Sequence, residues 1–504
     1  MLEQFIKNRI IAELPFEANE GQLELLDKLS EFVVSPTPRK AFILRGYAGT
    51  GKTSIMAALV GALQHLQQRI VLLAPTGRAA KVLSGYAHVP AYTIHKYIYR
   101  ARSKSAPSLE DATLQFKGER QAFSLRDNLH KNTLFIVDEA SMISGLRDNP
   151  MFGSGMLLDD LVRYVYSGEG CSMLLLGDDA QLPPVGSSQS PALSDDYMSG
   201  YQLHIRSHTL TQVARQASDS GILGNATRLR PYALGGESAP SLEDGIKCLQ
   251  NATLQFRGKE EFWDILEFGK DVQTVSGAEL LEALEQSYNE VGIEETILLT
   301  RTNKRTNIYN QGIRARILWR EDEISSGDRL MVCKNNYFWT EQYEDLPFLA
   351  NGDMLEVVRL RNEREIYGYH FIDAQLRSLD YDWEIDTVIW LDTIHSDNPE
   401  ANQQMQKDLF GKIAEDYPEL AHNRRKLVEA IYASPYYNAL QVRMAYAITG
   451  HKSQGGQWQR VFIDPYKGGD SSNPPTENEC RDFYRWLYTA VTRASKKVYF
   501  IKNN

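Results

Sequence analysis

Apolar residues in this chain come in short runs, and most runs close on a polar turn. "AFILRG", ending at Gly46, is a β-leaning run suited to a buried strand. Beyond the next turn, "TSIMAALVGALQHL" sets apolar side chains at helical spacing among strong helix formers. "NTLFIVDEASM" is a second apolar β run and ends in Asp138-Glu139. "CSMLLLGDDAQLPPVG" has the same form, with a proline-stiffened turn after it. "VLLAPTGRAAKVL" ends a strand at Pro75-Thr76 and opens a helix at Gly77. "ETILLTRTNKRTN" and "AYAITGHKSQGGQW" are later runs that end in polar, basic turns. Two regions break this pattern. Around 100–131, "ATLQF" and "QAFSL" flank "KGER" and predict a hairpin. From about 322 to 435, "GDRLMVCKN", "NGDMLEVVRL", "GYHFIDAQLRSLD" and "WEIDTVIWLDTI" predict a small β-barrel, with charged helical sequence after about 398.

The turns carry the candidate chemistry. Gly46 to Thr53 fits G-x-x-x-x-G-K-[ST], with a strand before it and a helix after it. Gly46, Gly49 and Gly51 let the backbone bend and aim its N–H groups at phosphate, with Thr50 and Ser54 in the same loop and helix start. Lys52 would meet the β- and γ-phosphates, and Thr53 would ligate magnesium. Asp138, at the C-terminal end of a buried strand, suits the same Mg2+ through water, and Glu139 suits proton abstraction from an attacking water. The Gln181 amide suits sensing of the γ-phosphate or that water. The ligand implied is a nucleotide with Mg2+.

Composition narrows the setting. A chain of 504 residues exceeds what one core serves, so two or more domains are expected. No run of about 18 apolar residues occurs, so no membrane span is expected. The start, "MLEQFIKNRI", lacks the apolar core of a signal peptide. Cys171, Cys248, Cys333 and Cys480 form no C-x-x-C pair and read as reduced thiols in a cytoplasmic protein. A net charge of −10 disfavours a general nucleic-acid coat but leaves room for a local basic groove.

"GYAGTGKTS", "APTGRAAKVL", "TIH", "DEASM", "GDDAQLPPVG", "ARQA", "AITGHKSQG" and "YTAVTRA" occur in an order that resembles superfamily 1 helicases, and in wording the 1B branch of RecD/Dda type. The motifs run from about residue 15 to the end. The resemblance implies an α/β fold of two RecA-like P-loop domains in tandem, with a small β-hairpin insert in the first and an SH3-like β-barrel insert in the second. The implied boundaries are 1–205 for the first domain, 206–321 with 436–504 for the second, and 322–435 for the barrel insert. It implies that Arg215 and Arg493 reach the γ-phosphate from the second domain, a role that suits a permanently charged, bidentate group. It implies that Gln22 reads adenine, with the opening of an exposed helix as the competing reading.

For nucleic acid, the resemblance points to Pro75, Thr76, Thr93 and His95 in the first domain, and to Thr302, Asn303, Thr449, His451 and Gln454 in the second. Arg301, Lys304 and Arg305 either add positive charge there or belong to a solvated loop. Phe116 and Phe123 are candidate strand-separating wedges, with packing of the hairpin's own aromatics as the competing reading. Tyr92, Tyr97 and Tyr99 are either core or a stacking platform.

The implied activity is an ATP-dependent helicase that tracks 5′ to 3′ on single-stranded DNA, opens forked duplex and acts as a monomer, with repair or recombination proteins as partners. An RNA-directed enzyme of the same superfamily, or a DNA-stimulated ATPase subunit without unwinding of its own, are the alternatives. No carboxylate–lysine nuclease cluster stands out. "APSLED" and "ATLQF" occur twice, from Ala106 and again from Ala239, which reads as a local duplication and predicts an extra exposed element near 240–260.

Overall fold

The structure, a computed structural model, describes residues 2–101, 123–147, 151–214, 220–235, 263–343, 346, 348–396, 398–466 and 476–502. A first sheet has six strands in the order Ala91–Thr93, Arg69–Ala74, Thr133–Val137, Ser172–Gly177, Lys40–Gly46 and His204–Leu210. Every neighbouring pair in it is parallel. Parallel sheets are covered on both faces, which is why the four inner strands read as apolar runs while the edge strands Ala91–Thr93 and His204–Leu210 do not. Thr133–Val137 and Ser172–Gly177 are buried at every position. Leu44 and Leu176 share one core with Leu29 of the helix Glu20–Val34 and Leu59 of the helix Lys52–His65. The helix Leu2–Glu13 adds Ile6 and Ile10. Burial of each such side chain contributes about 2 kcal/mol.

A second sheet has the order Ala447–Thr449, Thr296–Thr300, Trp458–Ile463, Ala494–Lys502 and Val272–Ser276. From Thr296–Thr300 onward its neighbours are parallel. A third sheet is antiparallel throughout, in the order Glu384–Trp390, Tyr369–Ser378, Met354–Ile366, Arg329–Val332 and Val442–Met444. It curls onto itself just before its last strand. Leu440 N–H donates to Val388 O at 2.7 Å, and Trp390 N–H donates to Leu440 O at 3.0 Å. One bridge, Ile389 to Leu440, thus joins the first strand of this sheet to the segment that leads into the last.

Contacts divide the chain into two units, one of residues 1–99, 125–301 and 449–504, the other of 100–124 and 302–448. The first holds the six-stranded sheet and nearly all of the second sheet, and the other holds the barrel. Two strands cross the expected boundaries. His204–Leu210 pairs along its whole length with Lys40–Gly46, so the first sheet runs past 205 to Leu210. The barrel takes in Val442–Met444, so the insert runs past 435. Tyr99–Ala101 and Phe123–Leu125 pair as the stem of the expected hairpin. Phe116 and both copies of the duplicated segment lie outside the described residues. Among the described residues, no helix is long and apolar enough to cross a membrane.

Candidate functional site

Parallel strands send all their C-terminal ends to one edge of a sheet. The turns after Lys40–Gly46, Thr133–Val137 and Ser172–Gly177 therefore emerge together, and they are the turns that hold the glycine loop, the paired acids and Gln181. In the glycine loop, Gly49 has φ +75° and Gly51 has φ +87°, where a side chain would be strained. A Cβ on Gly51 would also stand 2.8 Å from Gln22 Nε2. Thr50 is fully buried and its hydroxyl donates to Tyr47 O at 2.8 Å, so it shapes the loop from within. The Lys52 ammonium donates to the loop's own Gly46 and Tyr47 carbonyls. Thr53 and Ser54 lie half-buried in the first turn of the following helix.

Gln22 is 1% exposed and closes against this loop. Its Nε2 donates to Thr50 O at 2.9 Å, and its Oε1 accepts from Asn19 N–H at 3.0 Å in a capping box. The amide that resemblance assigns to adenine thus holds the loop to a helix start.

Asp138 follows its strand directly, with its N–H donating to Leu73 O at 3.0 Å. Burial, and then the adjacent Glu139 carboxylate, push its carboxyl up to about 6. Glu139 has φ +51°, an uncommon conformation for a non-glycine residue, and its N–H donates to Asp138 Oδ1 at 2.9 Å. The hydroxyl of Thr53 and the carboxylate of Asp138 are hard oxygen donors of the kind Mg2+ prefers. A cation beside Asp138 would also offset the repulsion from Glu139. The residues present therefore fit a magnesium ion.

Gln181 is 6% exposed, and its Oε1 is buried without a hydrogen-bond partner among the described residues. An orphaned acceptor beside a phosphate loop is what a site awaiting a donor, such as water, presents. The backbone around Gln181 is held from the second-sheet side. Asp178 Oδ1 accepts from Ala180 N–H at 3.0 Å, and Asp178 Oδ2 accepts from the Tyr488 hydroxyl at 2.7 Å. Leu182 N–H donates to Thr489 Oγ1 at 3.0 Å, and Leu182 O accepts from Gln454 Nε2 at 2.7 Å. The Tyr488 oxygen also accepts from Ala48 N–H of the glycine loop at 2.8 Å.

Tyr488 and Thr489 belong to the helix Glu477–Val491, and Arg493 follows two residues after its end. Arg493 is 6% exposed, bonded to Thr489 O and Gly456 O, with Nη1 4.0 Å from Glu139 Oε1. Arg215 lies outside the described residues, but Ala214 N–H just before it donates to Gly49 O at 2.9 Å.

The nucleic-acid candidates repeat one local device. Thr76, Thr93 and Thr302 each cap a helix start, accepting from the N–H of Ala79, Lys96 and Arg305 respectively. Pro75 and Thr76 are half-buried, Asn303 opens the Thr302-capped helix, and Thr449 and His451 sit at the start of a one-turn helix with His451 exposed. Helix starts of this kind offer free N–H groups to phosphate.

Three candidates are enclosed in the structure. Gln454 is buried, with its Nε2 donating to Leu182 O at 2.7 Å. His95 is enclosed by the Phe152 and Tyr99 rings, at 4.9 and 5.8 Å between centroids, and burial pushes it down to about 4. Phe123 is 5% exposed and packs on Tyr337 and Phe348. The wedge expectation for Phe123 is thus corrected, because its ring is core within its unit. The tyrosines divide: Tyr99 is core and bonds Asp160, Tyr97 bonds His130, and Tyr92 is 38% exposed. Sequence reasoning missed Tyr488, Thr489 and Asp178, although "YTAVTRA" and "GDDAQ" contain them.

Residues 17–231 match the AAA domain family, and residues 444–501 match the UvrD-like helicase C-terminal domain. A mimivirus protein from Acanthamoeba polyphaga mimivirus, the uncharacterized protein R530, is 25% identical over 96% of this chain and 99% of its own length. The ATP-dependent DNA helicase dda of Enterobacteria phage T4 is 24% identical over 83% of this chain and 86% of its own length. The ATP-dependent RecD2 DNA helicase of Deinococcus radiodurans is 29% identical over 41% of this chain but only 23% of its own length. Fold and sequence bring a P-loop sequence, paired acids and Gln181 to one edge of a parallel sheet, with Arg493 from the chain of a second sheet beside them. Within that class, the resemblance to superfamily 1B helicases of the RecD/Dda type stands.

Proposed function

We propose that this protein is an ATP-dependent DNA helicase that moves 5′ to 3′ along single-stranded DNA and opens forked duplex. The observation that carries this reading is Arg493, delivered from the second sheet's chain to within 4.0 Å of Glu139 on the first. A phosphate site completed by an arginine from another sheet senses the separation of the two, which is how hydrolysis becomes movement.

In this reading Lys52 leaves the Gly46 and Tyr47 carbonyls for the β- and γ-phosphates. Thr53 and Asp138 hold magnesium, which when bound neutralises phosphate charge. Glu139 takes the proton of the attacking water, and Gln181 orients that water through its unpaired Oε1. Arg493 and Arg215 stabilise charge on the transferring phosphoryl group. Thr76 and Thr93 at one set of helix starts, and Thr302, Asn303, Thr449 and His451 at the other, grip backbone phosphates alternately as ATP turns over. The chain works as a monomer in the cytoplasm.

Strand displacement on 5′-tailed and 3′-tailed duplexes tests the reading, with unwinding expected only from the 5′ tail. Unwinding from the 3′ tail alone would reverse the polarity. Stimulation of ATPase by RNA oligomers and not by DNA would move the substrate to RNA. DNA-stimulated ATPase without strand separation would make the chain a subunit of a larger machine.

A further inference from the structure

Tyr488 is 1% exposed and lies on a helix of the second sheet's half, yet both bonds of its hydroxyl go to the first sheet's nucleotide loops. It accepts from Ala48 N–H in the glycine loop and donates to Asp178 Oδ2 in the turn that carries Gln181. A phenol has one proton to give, so these two bonds use it in a single orientation. The other Asp178 oxygen holds Ala180 N–H, immediately before Gln181. Thr489, the next residue on the helix, holds Leu182 N–H immediately after it. Both neighbours of Gln181 are thus fixed by the same turn of helix that leads to Arg493, while Gln181 Oε1 is left free and buried.

We propose that Tyr488 is a positioning residue for ATP hydrolysis, tying the glycine loop and the Gln181 turn to the helix that delivers Arg493, so that water-orienting and arginine groups arrive together. This inference rests on the reading of the site as an ATP hydrolase. The chemistry that follows is a division of labour. ATP is gripped by residues of the first sheet, so loss of the Tyr488 hydroxyl spares binding. Hydrolysis needs Gln181 and Arg493 in register, so it slows on that loss. Asp178 acts through the same bond, and its removal has the same consequence.

The test is steady-state ATPase of the full chain with a single-stranded DNA oligomer, comparing wild type with Tyr488→Phe, Asp178→Asn and the double variant. Phenylalanine keeps the ring and removes only the oxygen. In Tyr488→Phe, kcat is expected to fall about tenfold with KM for ATP within about twofold of wild type. Asp178→Asn is expected to lose a similar factor, and the double variant no more than the greater single loss, because one bond is removed twice. Wild-type kcat in Tyr488→Phe, a loss confined to KM, or losses that multiply in the double variant would each overturn the inference while leaving the proposed function standing. A wild-type chain that hydrolysed no ATP in the presence of DNA would overturn both.

Discussion

Arg493 Nη1 stands 4.0 Å from Glu139 Oε1, so a cation from the chain of the second sheet meets the proposed base at the edge of the first. The guanidinium is held in place by Thr489 O, Gly456 O and Thr492 Oγ1. Its position is therefore set by the helix end and not by Glu139. Arg493→Ala should lower kcat for DNA-stimulated ATP hydrolysis by about a thousandfold with little change in nucleotide binding. Arg493→Lys should not restore it, because an ammonium cannot hold two phosphate oxygens in the planar fork. Rapid-quench turnover set against binding of a fluorescent ATP analogue separates the two effects, and full activity in the lysine variant would remove the bidentate role.

Glu139 occupies a left-handed backbone position at φ +51° immediately after a buried strand. Strain of that kind persists where surrounding structure over-determines it, and here the Asp138 carboxyl accepts the Glu139 N–H. Glu139→Gln keeps shape and hydrogen bonding but cannot take a proton. Turnover should fall by about 100-fold or more while ATP still binds. Equal turnover in the glutamine variant would move the base elsewhere.

Gln22 spends its amide on Asn19 N–H and Thr50 O. Gln22→Ala should therefore cost about 1–2 kcal/mol of stability without nucleotide, seen as a lower Tm, through loss of the cap and of the loop contact. It should raise KM for ATP and GTP alike. A rise for ATP alone, with Tm unchanged, would return the residue to adenine recognition.

The parts of this site that were legible in the sequence are those in which strand, turn and chemistry are contiguous. "ILRGYAGTGKTS", "FIVDEAS" and "LLLGDDAQ" each carry a strand and the residues it presents, so a parallel sheet brings them to one edge. Tyr488 was not legible as a functional residue because Ala48 and Asp178 meet it only through tertiary packing. Periodicity places it on a helix and says nothing of what that helix faces. The β runs of the third sheet were legible, but the bridge between its first strand and the approach to its last depends on Leu440, which carries no turn or strand signal of its own. Gln454 sat in a recognisable motif, and only the structure separates its nucleotide-side bond from contact with a strand.

Phe123 is enclosed by Tyr337 at 5.1 Å and Phe348 at 5.9 Å between ring centroids. Phe123→Ala should destabilise the unit that holds the barrel by about 3 kcal/mol, through lost burial and the cavity left behind. Base pairs opened per ATP consumed should be unchanged at temperatures where the variant is folded. A selective loss of unwinding with normal ATPase and normal Tm would instead make the ring a wedge.

The His95 ring is held near 4 by burial between Phe152 and Tyr99, so it is neutral throughout the range in which the protein would work. Sign and window follow directly. Its charge appears only as pH falls through about 4, so protonation of this ring adds nothing to DNA affinity between pH 5.5 and 8. A neutral group releases no counterion on meeting a phosphate, whereas each neutralised phosphate of a single strand contributes about 0.7 to the salt slope. His95→Gln should therefore leave the slope of log affinity against log salt unchanged, even if affinity itself drops. Fluorescence-anisotropy titrations of a labelled oligonucleotide at several salt concentrations measure both quantities. A shallower slope in the variant, or a step in wild-type affinity near pH 6.5 that His95→Gln abolishes, would show that the ring is a cation when DNA is bound.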